Sequence, residues 1–128
     1  MEYTQFIDGA LTTNTNRESW VNYNPADNNP LGTVYQANEE DIEAAVDSSQ
    51  KAFHIWRTKT GAERGRVLIK SAGILRSRLK KIALMETQDV GKPLSESLVV
   101  DVSSAADALE YFGGMAATPK RARHTEQV

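Results

Sequence analysis

TGAERGRVLIKSAGILRSRLKKIALMETQDVGKP, residues 60–93, decides how this chain is read. Thr60 and Glu63 stand three apart in the capping-box pattern, so a helix starts here. Val67, Leu68, Ala72, Leu75, Leu79, Ile82 and Ala83 recur at helical spacing and form one apolar stripe. That stripe predicts a single long helix, with Gly91 as the residue that turns the chain out of it. Arg64, Arg66, Lys70, Arg76, Arg78, Lys80 and Lys81 fall mostly off the stripe. Asp89 lies just inside the predicted C-terminus, where the helix dipole opposes negative charge. A carboxylate there wants a donor or a cation. Lys92 or solvent is the simpler answer from the residues alone; a hard cation on oxygen ligands is the other.

On the leading side, Asn38 is a good N-cap, followed by Glu39, Glu40 and Asp41 in the first turn. Ile42, Ala45, Val46, Ser49, Ala52, Phe53 and Trp56 predict the buried face of that helix, which Arg57 and Lys59 close. Further upstream, Asp8-Gly9 predicts a hairpin joining Gln5-Phe6-Ile7 to Ala10-Leu11. Short strands are expected over 19–24 and from Thr33 to Gln36, with Asn24-Pro25, Pro30 and Gly32 as punctuation. On the trailing side, Pro93 suits the first turn of a third helix. Its face is marked by Leu94, Leu98, Val102, Ala105, Ala106, Leu109 and Phe112, and Gly113-Gly114 is expected to weaken or end it. Residues 118–128 show no periodicity and read as a disordered tail. The expected piece is therefore mainly α: an N-terminal β-hairpin and short strands, then three helices around a core of Leu, Ile, Val, Phe and Trp. Such a piece is marginal alone, because small domains bury a low fraction of their surface.

A chain of 128 residues, 40% hydrophobic, suits one small domain and is not the composition of a disordered protein. The net charge of -2 predicts no general attraction to nucleic acid or acidic surfaces. It conceals an asymmetry: -5 over residues 1–60, +5 over 61–92 and -2 over 93–128. The seven basic residues between Arg64 and Lys81 could neutralise phosphates, but no aromatic residues interleave with them. A solvated face, or one paired with the acidic first helix, is favoured, and no nucleic-acid partner is expected. With no cysteine, the chain has no disulfide, no thiolate metal ligand and no thiol nucleophile. No apolar run approaches membrane length, and the start has no basic or apolar leader pattern. No membrane is expected, and the cytoplasm is the default location.

Few residues suggest chemistry. Glu86, Asp89, Glu96 and Asp101 cluster in sequence near the second-to-third helix junction, but acid–base work needs a cleft and partners that the sequence does not show. Capping and surface charge explain them. His54 and His124 do not make a metal site. There is no GxGxxG and no phosphate loop; Gly61-Ala-Glu-Arg-Gly65 is a helix start.

Many short stretches nevertheless stand in one order and spacing: FIDG (6–9), NPAD (24–27), LGTV (31–34), EEDIEAAV (39–46), AFHIW (52–56), ERGRVLIKSAGILRSR (63–78), IALMETQDVGKPLSES (82–97) and DVSSAADALEYFGGMAA (101–117). Together they resemble the start of the NAD(P)-dependent aldehyde dehydrogenases, nearest the betaine-aldehyde-dehydrogenase-like branch. The resemblance implies an α/β aldehyde-dehydrogenase-like fold, with 1–117 its N-terminal segment and 118–128 a divergent tail. In that family a cysteine attacks the aldehyde, hydride passes to NAD(P), and a glutamate helps hydrolyse the thioester. Those parts lie downstream of this segment, so no catalytic or cofactor-binding residue is assigned here. The aldehyde is a partner of the full-length enzyme only; the alternative reading of the segment is a non-catalytic helical interaction module that self-associates through exposed apolar faces. The resemblance also implies a structural K+ or Na+ bound by Asn22, Tyr23 through its carbonyl, and Asp89. Asn22 departs from the commoner hydroxyl residue, and a further family ligand lies outside this stretch. After Thr118 the sequence PKRARHTEQV departs from the family pattern, which implies a truncated or frame-shifted product that sequencing of the encoding DNA would test.

Overall fold

The computed structural model describes residues 1–118. The expected tail, including His124, lies outside the described residues apart from Thr118. Five short strands come first: β1 (Glu2–Tyr3), β2 (Phe6–Ile7), β3 (Ala10–Leu11), β4 (Ser19–Tyr23) and β5 (Pro30–Tyr35). The helices follow: α1 (Glu39–Trp56), α2 (Gly61–Ser77), α3 (Leu79–Val90), a single turn α4 (Leu94–Glu96), a π-helical turn (Ser97–Asp101) and α5 (Val102–Met115).

The hairpin forms where Asp8-Gly9 predicts it. Phe6 faces Leu11 and Ile7 faces Ala10. Asp8 (φ 52°) and Gly9 (φ 81°) both take positive φ, as the tight two-residue turn requires. The other strands make a small sheet in the order β1-β5-β4, with β4 antiparallel and β1 parallel to β5. The parallel β1 has no signal in the sequence. Pro30 opens β5, where its missing N–H is tolerated.

Both long helices begin with reciprocal capping boxes, Asn38 with Asp41 and Thr60 with Glu63. The predicted long helix over 60–93 is instead two. At Arg78 the backbone leaves helical geometry (φ -112°, ψ 10°), and α3 starts on the next residue. The apolar stripe continues across this kink, so periodicity alone does not reveal it. Gly91 (φ 75°) ends α3 as expected, its N–H donating to Thr87 O.

Gly113-Gly114 does not end the last helix, which runs on to Met115. Gly113 is buried against Gly65 of α2, and a Cβ on it would lie 2.9 Å from Gly65 O. A Cβ on Gly65 would overlap Gly113 O, and one on Gly61 would overlap Ala116 O. These small residues form the seam between α2 and α5 and let the two backbones close up. The remaining core continues it: among the described residues Ala72, Ala83, Val102 and Ala106 are the buried apolar side chains. The expected core of large residues is therefore wrong for this segment. Trp20, Phe53, Trp56 and Phe112 are all more than 40% exposed. The predicted buried face of α1 is likewise open, with Ile42, Val46, Phe53 and Trp56 exposed and only Ala45 half-buried. Among the described residues, α1 is held mainly at its start, where Asp41 is buried and bonded to Arg17, and by Ser48 donating to Asp8.

Candidate cation site

The exit of α3 meets the end of β4. Asn22 donates from Nδ2 to Asp89 Oδ1 at 2.6 Å, across 67 residues of sequence. Beside this contact, Pro25 packs on Gly91; a Cβ on that glycine would lie 2.7 Å from Pro25 Cγ. The segment between β4 and β5 is tied to itself. Asn24 Oδ1 accepts from Ala26 N, Asn24 O accepts from Asn28 N, and Asn24 N donates to Asn29 O. Asn28 takes φ 59° within this turn. The result is a self-bonded corner that brings Asn22 and Pro25 to the helix end.

Two of the three expected ligands, Asn22 and Asp89, are thus in direct contact. Tyr23 is the next residue along β4, with its ring about half exposed (48%). Its partner in the ladder is Pro30, which has no N–H to give the Tyr23 carbonyl. A break in the strand register falls between Asn22 and Tyr23 and reorients the chain there. The polar groups shown to meet here are the Asp89 carboxylate and the Asn22 amide, whose NH2 end faces it.

Lys92 does not neutralise Asp89. Its ammonium is bonded to Asp101, which holds the lysine pKa above its usual value. Among the described residues no ion pair reaches Asp89. Of the simpler answer, Lys92 is engaged elsewhere while solvent remains, since Asp89 is exposed, and the amide of Asn22 supplies a donor. Thr87, two residues before Asp89, donates to the fully buried Ser97 at 3.1 Å and ties α3 to the π-helical turn. Ser103 donates to Leu98 O, which satisfies a carbonyl in that turn. The sequence offered no sign of the π turn or of the Thr87–Ser97 bond.

Asp101 serves Lys92, Glu96 is exposed, and among the described residues no three His, Cys, Asp or Glu side chains gather. His54 lies beside Phe53 on the open face of α1, their ring centroids 6.5 Å apart, in a shallow apolar groove with Ile42, Val46 and Gln50. The basic face is partly engaged: Arg76 donates to Asp107 and Glu110 of α5, both at 2.7 Å. These carboxylates hold its pKa above the usual value. The described ion pairs do not link it to α1, which corrects that alternative. Arg17, from the segment before β4, meets Asp41 at 3.2 Å. The Asn38 N–H and then Arg17 hold that carboxyl below its usual pKa.

The family described as "Aldehyde dehydrogenase family" matches residues 12–127. That match runs past Thr118, where the motif-by-motif resemblance stops. Betaine aldehyde dehydrogenase 2 of Rhizobium meliloti (strain 1021) is 42% identical over 115 residues, covering 90% of this chain and 24% of the relative. PnpE in complex with nicotinamide adenine dinucleotide superposes with a TM-score of 0.87 at 29% identity, over 94% of this chain and 25% of that one. A betaine aldehyde dehydrogenase from Staphylococcus aureus in complex with NAD+ superposes with a TM-score of 0.83 at 29% identity, over 91% of this chain and 24% of that one. The chain spans about a quarter of the length of these relatives.

Proposed function

The chain belongs to the aldehyde dehydrogenase family, and from that premise we propose that it is the N-terminal scaffold segment of a betaine-aldehyde-dehydrogenase-like, NAD(P)-dependent enzyme, carrying a structural monovalent cation but no turnover of its own. The observation that carries this reading is 42% identity sustained over 115 residues, 90% of the chain. The family reaction takes an aldehyde to a carboxylate with hydride transfer to NAD(P). This segment contributes neither a thiol nor a glycine-rich phosphate turn to it. Its own residues supply a rigid α2–α5 pair and the β4–α3 corner. At that corner Asn22, Tyr23 and Asp89 are proposed to hold K+ or Na+. A bound cation would neutralise Asp89 against the α3 dipole and pin the strand to the helix end. No helix is long and apolar enough to cross a membrane among the described residues, and a cytoplasmic setting is part of the proposal.

Purified chain mixed with betaine aldehyde and NAD+ or NADP+ is expected to give no reduced cofactor above blank by fluorescence. Turnover that scales with protein concentration would overturn the scaffold reading. A second reading, a helical interaction module that self-associates, is favoured by one observation: the apolar face of α1 is open, with Phe53 57% and Ile42 57% exposed. Light scattering at rising concentration separates the two. A constant monomer mass would remove the interaction module.

A further inference from the structure

Helix α1 leaves its apolar stripe open, and the spacing within that stripe is specific. Ile42, Val46, Ser49, Phe53 and Trp56 follow one another by four, three, four and three residues, the pattern of a short two-helix seam. Its four apolar members are all more than 40% exposed. Two shallow grooves share Ser49 and Phe53. Ile42, Val46 and Gln50 line one, and Ala52 and Trp56 line the other. The residues beside the seam carry opposite charge at its two ends. Glu43 lies near the N-terminus, Arg57 caps the C-terminus, and Gln50 stands midway, seven residues from each. All three are exposed. Neither Glu43 nor Arg57 joins any ion pair among the described residues.

We infer that the open face of α1 is a docking surface for a second copy of this chain, the two helices running antiparallel with Glu43 of each against Arg57 of the other. This inference rests on the self-association reading of that face. In the antiparallel pair Val46 meets the partner's Trp56 and Ser49 meets the partner's Phe53, so a smaller residue stands against a larger one in each layer. The two-fold axis repeats every contact, giving two Glu43–Arg57 pairs, and it brings Gln50 beside the partner's Gln50. The helix dipoles then oppose each other, which adds attraction. A parallel pair is disfavoured. It would bring the two acidic first turns together, and with them the two ends that carry Arg57 and Lys59. One face of an 18-residue helix per copy makes a small interface, on the order of 1,200 Å² in total or less, so the dimer is weak and concentration-dependent.

The test is sedimentation equilibrium of the full chain from low micromolar to millimolar concentration. Wild type is expected to pass from monomer to dimer. Glu43→Arg and Arg57→Glu are each expected to weaken the dimer about tenfold, by setting like charges against each other at both ends. An equimolar mixture of the two variants is expected to recover it, because each then meets the opposite charge. Dimerisation unchanged by either swap would overturn the antiparallel α1 pair while leaving self-association intact. A constant monomer mass at every concentration would overturn both. Should a swap unfold the chain, cysteine placement reads the same geometry, since the sequence has no cysteine of its own. With diamide as oxidant, Gln50→Cys is expected to link to its own copy beside the axis. Glu43→Cys is not, because the two copies of position 43 lie at opposite ends of the pair. Equal linking of the two variants, or no linking of Gln50→Cys in a sample that sediments as a dimer, would overturn the inference.

Discussion

Helices α1 and α2 are near twins in sequence terms. They span 18 and 17 residues, both begin with a reciprocal capping box, and both carry apolar residues at helical spacing. Their fates differ. α2 is packed along its length against α5, with Gly65 and Ala72 buried, whereas α1 shows its apolar stripe to solvent and is buried only at Asp41. The difference lies in the size of the residues at the contact. Gly61, Gly65 and Ala72 on one side and Ala106 and Gly113 on the other let two helices approach until backbone meets backbone. The α1 stripe of Ile42, Val46, Phe53 and Trp56 is bulky and demands a surface shaped to receive it. Amphipathic spacing says that a face wants cover; small residues at that spacing say that the cover is another helix at close range.

The seam gives the sharpest way to break this contrast. Gly65→Leu drives a side chain into Gly113 O and is expected to abolish cooperative unfolding in a circular dichroism melt. The smaller Gly65→Ala should cost about 2 kcal/mol or more by urea titration. Loss of cooperativity in neither variant would mean that the seam is loose. Next in size, Val102→Ala, at a residue 4% exposed, should cost about 2 kcal/mol in the same titration. Acid should loosen the tethered start of α1 before it touches the seam. The Asp41 carboxyl has a depressed pKa in the fold, through the Asn38 N–H and Arg17. Its contribution is therefore present above the ordinary carboxylate range and lost as pH falls through the lower folded value. Hydrogen exchange at α1 should rise in that window, and Asp41→Asn should flatten the dependence. A smaller effect of opposite sign is expected at Gly73, where an added Cβ meets nothing within 4 Å. There Gly73→Ala should stabilise by roughly 0.5–1 kcal/mol, because only the helix propensity changes. Least of all, Val46→Ser on the open stripe of α1 should shift stability by no more than ~0.5 kcal/mol. A cost like that of Val102→Ala would show that α1 is covered in solution.

The corner at Asp89 was half legible. The conflict between a carboxylate and a helix C-terminus can be read from residues 82–91 alone, and it correctly marks Asp89 as needing a partner. Which partner answers it cannot be read there. Lys92 is three residues away and Asn22 is 67 away, yet Asn22 makes the contact because Lys92 is committed to Asp101. The Pro25–Gly91 contact has the same character: each residue is recognisable as a turn former, and their meeting is not.

The sequence by itself determined the local events: the Asp8-Gly9 hairpin, both capping boxes, the Gly91 exit and the family to which the chain belongs. The local events rest on the chemistry of a few neighbouring residues, such as a side chain that reaches a nearby N–H or a glycine that accepts positive φ, and the family rests on many short stretches in one order. Only the tertiary structure decided that the long helix kinks at Arg78, that Gly113 is a packing residue instead of a stop, that α1 is uncovered, and that Asn22 meets Asp89. Those outcomes depend on what lies opposite in space. A periodic pattern fixes which residues share a face, but the distance to the facing backbone, and the group that waits there, are set by the whole array.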